Sequence, residues 1–129
     1  MPTSRSRLLQ LWAPVVVYMG VIFYLSSMTE PPLPGGVSDK SAHAAGYSLL
    51  ALLVTRALAG GLWRRVTLRA ALLAIAITVA YGVSDEYHQS FVAGRDSDIH
   101  DVYADATGAC IGAIACWACG IIGPRLRDV

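Results

Sequence analysis

The chain has 129 residues, enough for one compact domain, and 55% of them are hydrophobic while only 15% are charged. A water-soluble domain usually carries about a quarter charged residues, so lipid is the more natural solvent for this composition. The net charge of +1 gives no basic footprint of the kind nucleic-acid binding needs.

Four apolar stretches carry the excess, at residues 8–28, 42–60, 66–84 and 102–122. Each is close to the roughly 20 residues a helix needs to cross the hydrocarbon core. A spanning segment must satisfy its own backbone hydrogen bonds, which makes helix the default. The expected fold is therefore all-α: a single domain over 1–129, built as a four-helix transmembrane bundle.

The first stretch follows Arg5 and Arg7 and contains Pro14, with Trp12, Tyr18, Phe23 and Tyr24 among its aromatic residues. It is long for a signal-peptide core, and Ser26-Ser27-Met28 is a poor small-x-small cleavage site. It reads as an uncleaved helix. A Pro- and Gly-rich loop at 30–40 follows. At the start of the second stretch Asp39, His43 and Tyr47 recur at i, i+4 and so share one helix face, with Lys40 about a hundred degrees around from Asp39.

A tight basic turn at 60–65 leads to the third stretch. Segment 85–100, DEYHQSFVAGRDSDIH, is then read as a second outer segment with two of the three histidines. Within it Glu86 and Gln89 share a face at the end of the third helix, with Asp85 and His88 on the next. In the fourth stretch Asp101, Asp105, Gly108 and Gly112 run at i+4, i+3 and i+4 down one face. Gly108-x-x-x-Gly112 allows close helix contact, so both aspartates should face the bundle interior. A homo-oligomer through the Gly108/Gly112 face is a second use of the same stripe.

Charge placement orients the chain. Eight of the ten Lys and Arg residues (Arg5, Arg7, Arg56, Arg64, Arg65, Arg69, Arg125 and Arg127) fall on one side of a four-span arrangement, and Lys40 and Arg95 on the other. The positive-inside rule then puts both termini in the cytoplasm. Cys110, Cys116 and Cys119 all lie in the fourth stretch. Cys116-Trp117-Ala118-Cys119 matches C-x-x-C, but it lies toward the cytoplasmic end, where disulfides are disfavoured. These thiols read as small packing residues.

The outer ends of the second, third and fourth helices thus collect Asp39, Lys40, His43, Tyr47, Glu86, Gln89, Arg95, Asp98, Asp101 and Asp105, while the inner half holds little polar besides arginines. Ionisable groups near membrane depth are costly and imply a functional site with partners. Caps, loop ion pairs and a purely structural network are the alternative.

The ordered set Asp39-Lys40-x-x-His43-x-x-x-Tyr47, Glu86-x-x-Gln89, Gly94-Arg95 and Asp101-x-x-x-Asp105-x-x-Gly108 resembles the VanZ-like family, over about 38–112. The family often has Asn where this chain has Asp105. The resemblance implies a small multi-pass protein integral to the bacterial cytoplasmic membrane and part of the cell envelope, of the type associated with resistance to the glycopeptide teicoplanin. It supplies no molecular activity.

Two readings of the cluster follow. In the first, an outward-facing polar pocket holds an anionic envelope lipid or lipid-linked cell-wall precursor, with Asp39, Lys40, Tyr47, Gln89, Arg95 and Asp105 as binding residues. Arg95 and Lys40 supply the cations for a phosphate. In the second, the protein is a membrane-embedded hydrolase or transferase acting on a lipid phosphate or head group. His43 is then the general base or nucleophile, oriented by Glu86 or Asp101. A divalent cation held by Glu86, Asp101, Asp105 and His43 is a candidate cofactor. A transporter is disfavoured, because polar groups at one end draw no continuous pathway.

Overall fold

A computed structural model describes residues 3–61 and 66–127, with side chains as far as Gly120. The described residues form four helices and no strand: α1 (Ser4–Ser26), α2 (Asp39–Leu58), α3 (Leu68–Gln89) and α4 (Ile99–Arg127). Arg64 and Arg65, and the side chains of Arg125 and Arg127, lie outside the described residues.

Three of the helices begin on a hydroxyl cap. Thr3, Ser38 and Thr67 accept from the backbone N–H of Ser6, Ser41 and Ala70 respectively, which satisfies one otherwise orphaned donor at each start. The fourth begins at Asp98, whose Oδ1 accepts from the His100 N–H at 2.9 Å. α1 runs through Pro14 as one helix.

α1, α3 and α4 are long and apolar enough to cross a membrane. α2 is not among them, because Asp39, Lys40 and His43 open it and Arg56 closes it. It packs against each of the other three helices, and this central position lets its polar face turn away from lipid. The protein is an all-helical membrane protein whose most polar helix is the most enclosed.

Its core mixes Leu50, Val54 and Tyr47 with small residues. Ala51, Ala74, Ala109 and Ala113 are fully buried, while Leu9, Val16, Val17, Leu72, Ile111 and Ile114 point outward. Lipid tails are as apolar as leucine, so bundles like this gain from close backbone approach. Gly108 and Gly112 provide it. A Cβ at Gly108 would collide with the Ala44 carbonyl oxygen, and one at Gly112 with that of Ser48. The Gly108/Gly112 face is therefore taken up by α2 of the same chain, and a homo-oligomer would need another surface.

The helix ends differ from the apolar stretches by a few residues, most at the ends of α3 and α4. α3 continues through Gln89, so the first five residues of segment 85–100 are helical, and only 90–98 connects α3 to α4. No glycine or proline interrupts the helix between Gly82 and Gly94. The connection is stapled to the end of α1. Thr29 Oγ1 donates to the Ala93 carbonyl at 2.9 Å and Arg95 Nη1 to the Met28 carbonyl at 3.1 Å. Gly94 has φ +78, and a Cβ there would lie 2.6 Å from Thr29 Cγ2. Glycine is needed on both counts.

Candidate functional site

The polar residues meet at one end of the bundle, in two adjoining sets. The first is an interior network between α2 and α4. His43 Nδ1 lies 2.8 Å from Asp105 Oδ1. An ionised carboxylate only accepts, so Nδ1–H donates; Nε2 holds a lone pair in the neutral ring and a proton in the imidazolium. Nε2 faces Asp39 Oδ2 at 3.9 Å and Asp101 Oδ2 at 4.0 Å.

Lys40 does not pair with its neighbour Asp39. Its Nζ donates to Asp101 Oδ1 and to Asp98 Oδ2 at 2.9 Å, tying the start of α2 to the start of α4. The Asp101 and Asp98 carboxylates hold the Lys40 ammonium protonated well above the ordinary lysine range. The Lys40 ammonium and the His100 N–H hold the Asp98 carboxyl well below the ordinary carboxylate range.

Glu86 does not bond His43. Its Oε2 accepts from Ser97 Oγ at 3.1 Å and from the Asp98 N–H at 2.9 Å, so it anchors the connection into α4. It belongs neither to the group of ligand atoms around His43 nor to the cavity lining. The carboxylate that orients His43 is Asp105, which the sequence reading assigned to binding. Asp101 is buried at 3% exposure and spends one oxygen on Lys40.

The second set lines a cavity of about 140 Å³ between α1, α2, α3 and the first connection. Val21, Ile22, Leu25 and Leu33 give it an apolar wall, and Asp39, His43, Asp85, Gln89 and Arg95 a polar end. Lys40, Tyr47, Glu86, Asp101 and Asp105 do not line it. Arg95 was expected to find acidic partners in Glu86 and Asp101; it forms no ion pair among the described residues and bonds the Met28 carbonyl instead. Its pairing need is met by an orphan carbonyl at the end of α1.

Asp85 and Gln89 carry the cavity's polar floor. Asp85 Oδ2 accepts from Tyr47 Oη at 3.1 Å, and Gln89 Nε2 donates to Ser26 Oγ at 2.9 Å. Their other oxygens, Asp85 Oδ1 and Gln89 Oε1, are buried without a partner. Buried polar atoms are rarely left so. Asp85, Ser26 and Tyr18 were not among the residues the sequence assigned to the site. For Asp85 the signal was present, because it precedes Gln89 by four residues and so shares its face as closely as Glu86 does.

The cysteines are all free thiols, with Cys116 buried and Cys119 exposed. Cys116 packs against Ala59, Val66 and Trp117.

A family model described as VanZ/LLP1 matches residues 11–122. No curated protein and no solved structure matches the chain. The match reaches into all four helices and covers both sets of polar residues, and the chain belongs to the VanZ/LLP1 family.

Proposed function

We propose that this protein binds the head group of a phosphate-bearing envelope lipid or lipid-linked cell-wall precursor at the outer face of the bacterial cytoplasmic membrane. In this reading it acts in glycopeptide resistance of the teicoplanin type. The observation that carries it is the amphipathic cavity, with two unpartnered buried acceptors at its polar end. A cavity of about 140 Å³ has room for a head-group fragment, with acyl chains left outside along α1. Arg95 offers its remaining N–H groups to a phosphate. Asp85 Oδ1 and Gln89 Oε1 accept from hydroxyl or amide donors, such as those of a sugar or peptide. Lys40 has no part in the contact, since Asp98 and Asp101 occupy it.

Lipid mass spectrometry on the full chain, purified gently in detergent, tests this. A phosphate-bearing lipid is expected to co-purify with the wild type and to be depleted with Arg95→Ala or Gln89→Leu. Equal lipid content in all three would refute the reading.

The His43–Asp105 contact favours a second reading, a hydrolase or transferase acting on the same lipid. An imidazole oriented by a carboxylate, with Nε2 free, is the arrangement of a general base. Here His43 is the base, Asp105 its positioning residue, and Asp101 a charge that favours the imidazolium. Conversion of the bound lipid by wild type but not by His43→Gln distinguishes catalysis from binding.

A further inference from the structure

We infer that Asp39, His43 and Asp101 form a binding site for one divalent transition-metal ion, and this does not depend on the protein's binding a lipid. One ligand atom from each of the three residues lies within 4.8 Å of the others. The imidazole belongs to a side chain only 9% exposed, yet its Nε2 has no hydrogen-bond partner among the described residues. It points between two carboxylate oxygens at 3.9 and 4.0 Å.

A lone pair facing two anions is unfavourable by itself, and a cation among the three atoms, whether a proton on Nε2 or a metal ion in its place, reverses the sign of every one of those contacts. The donors stand slightly wider than a bound ion needs, since metal–ligand distances near 2.0–2.5 Å put donors about 3–4 Å apart. The Asp39 side chain is 49% exposed and free to turn inward by that amount.

The surrounding groups fit the same role. Metal-bound histidines commonly donate their other N–H to a carboxylate, which fixes the tautomer and aims the ligand nitrogen; Asp105 holds His43 Nδ1–H in that way at 2.8 Å. Asp101 divides its oxygens, with Oδ1 on Lys40 and Oδ2 toward His43. Lys40 is the only cationic side chain bonded to Asp101 among the described residues. An imidazole with two carboxylates selects first-row transition ions such as Mn²⁺ or Zn²⁺ over Mg²⁺, which favours an all-oxygen set. Asp39 and His43 also line the cavity, so the ion's remaining positions would open toward it.

Mn²⁺ is the probe of choice, because thiols such as Cys119 compete for zinc but bind manganese poorly. The full chain in detergent is titrated with Mn²⁺ and followed by electron paramagnetic resonance. One ion per chain is expected, with a spin-echo coupling to one imidazole nitrogen. Asp39→Asn, an exposed and fold-neutral change, should weaken binding at least about tenfold, and His43→Gln should remove the nitrogen coupling. Asp105→Ala should weaken binding roughly 10–100-fold by freeing the ring. Lys40→Ala should tighten it by removing a competing charge beside Asp101. Absence of binding up to about 1 mM, the weak end of divalent-ion sites, would overturn the site. So would Mn²⁺ binding unaffected by Asp39→Asn or lacking nitrogen coupling. Unchanged or weaker binding in Lys40→Ala would remove Asp101 as a ligand and overturn the three-residue site.

Discussion

His43 on α2 and Asp105 on α4 face each other at 2.8 Å, with side chains 9% and 1% exposed. Their closeness is a consequence of what lies beneath them. One turn further along α4, Gly108 lets the backbone touch the Ala44 carbonyl, and Gly112 repeats the contact at Ser48. With side chains at those positions, the helices would stand apart and neither polar group could reach the other. Gly82 on α3 closes the third side, since a Cβ there would lie 2.9 Å from Asp105 Oδ2.

Gly108→Ala should therefore damage the site and the fold together. The neighbour is backbone and cannot rotate away, so overpacking of about 1–3 kcal/mol or more is expected. Thermal unfolding in detergent should show a clear drop in midpoint. Gly20→Ala is the control, since nothing lies within 4 Å of a Cβ there. Equal midpoints for the two variants would contradict the packing account.

Much of this arrangement was legible from spacing alone. The i, i+4 series on the second helix and the aspartate–glycine stripe on the fourth identify two faces that must meet, because each is the wrong face to show to lipid. Spacing says less about which partner a long side chain selects. Lys40 reaches past Asp39 to Asp98 and Asp101, a choice set by how the starts of α2 and α4 approach. Arg95 goes to the Met28 carbonyl, and a backbone acceptor leaves no trace in sequence. Glu86 and Asp85 are adjacent in the chain, yet one anchors a loop and the other floors a cavity. That division depends on helical phase to within a single residue.

Tyr47→Phe should destabilise the protein without changing its shape. Tyr47 is 3% exposed, and its hydroxyl is the one side-chain donor to Asp85 among the described residues. Asp85 Oδ1 already lacks a partner, so the variant leaves both oxygens of a buried carboxylate unpaired. The expected cost is about 1–3 kcal/mol. The double variant with Asp85→Leu should recover part of that loss, because neither half of the pair then remains. A double-mutant cycle with no coupling would show that the hydrogen bond does not matter.

Membrane orientation is open to direct test. Reporter fusions after Met28 and Phe91 should read as external, and fusions after Arg65 and Val129 as cytoplasmic. The basis is the eight-to-two division of Lys and Arg across the helix ends. A cytoplasmic signal after Phe91 would place the candidate site on the inner side and remove the basis for an outer-leaflet ligand.

Asp98 does two things that pH can separate. Its Oδ1 holds His100, accepting the backbone N–H that starts α4 and lying 2.8 Å from the ring Nδ1, and its Oδ2 accepts from Lys40. Lys40 and then His100 lower the Asp98 pKa, and Asp101 and then Asp98 raise that of Lys40. For the carboxyl, the stabilisation is complete above its unfolded pKa of about 3.9 and lost as pH falls through the lower folded value. For the ammonium it is complete below about 10.4 and lost as pH rises through the higher folded value. Above the histidine range, from roughly pH 8 to 9, the contribution should be flat. Asp98→Asn keeps an oxygen for the cap and removes the charge. Its deficit relative to wild type, read from detergent unfolding midpoints, should hold steady from about pH 8 to 9 and shrink below about pH 4. Asp98→Ala loses the cap as well, so it should be less stable than Asp98→Asn by an amount that does not change with pH. If the two variants are equally stable at every pH, Asp98 acts only as a charge and the start of α4 is held by other groups.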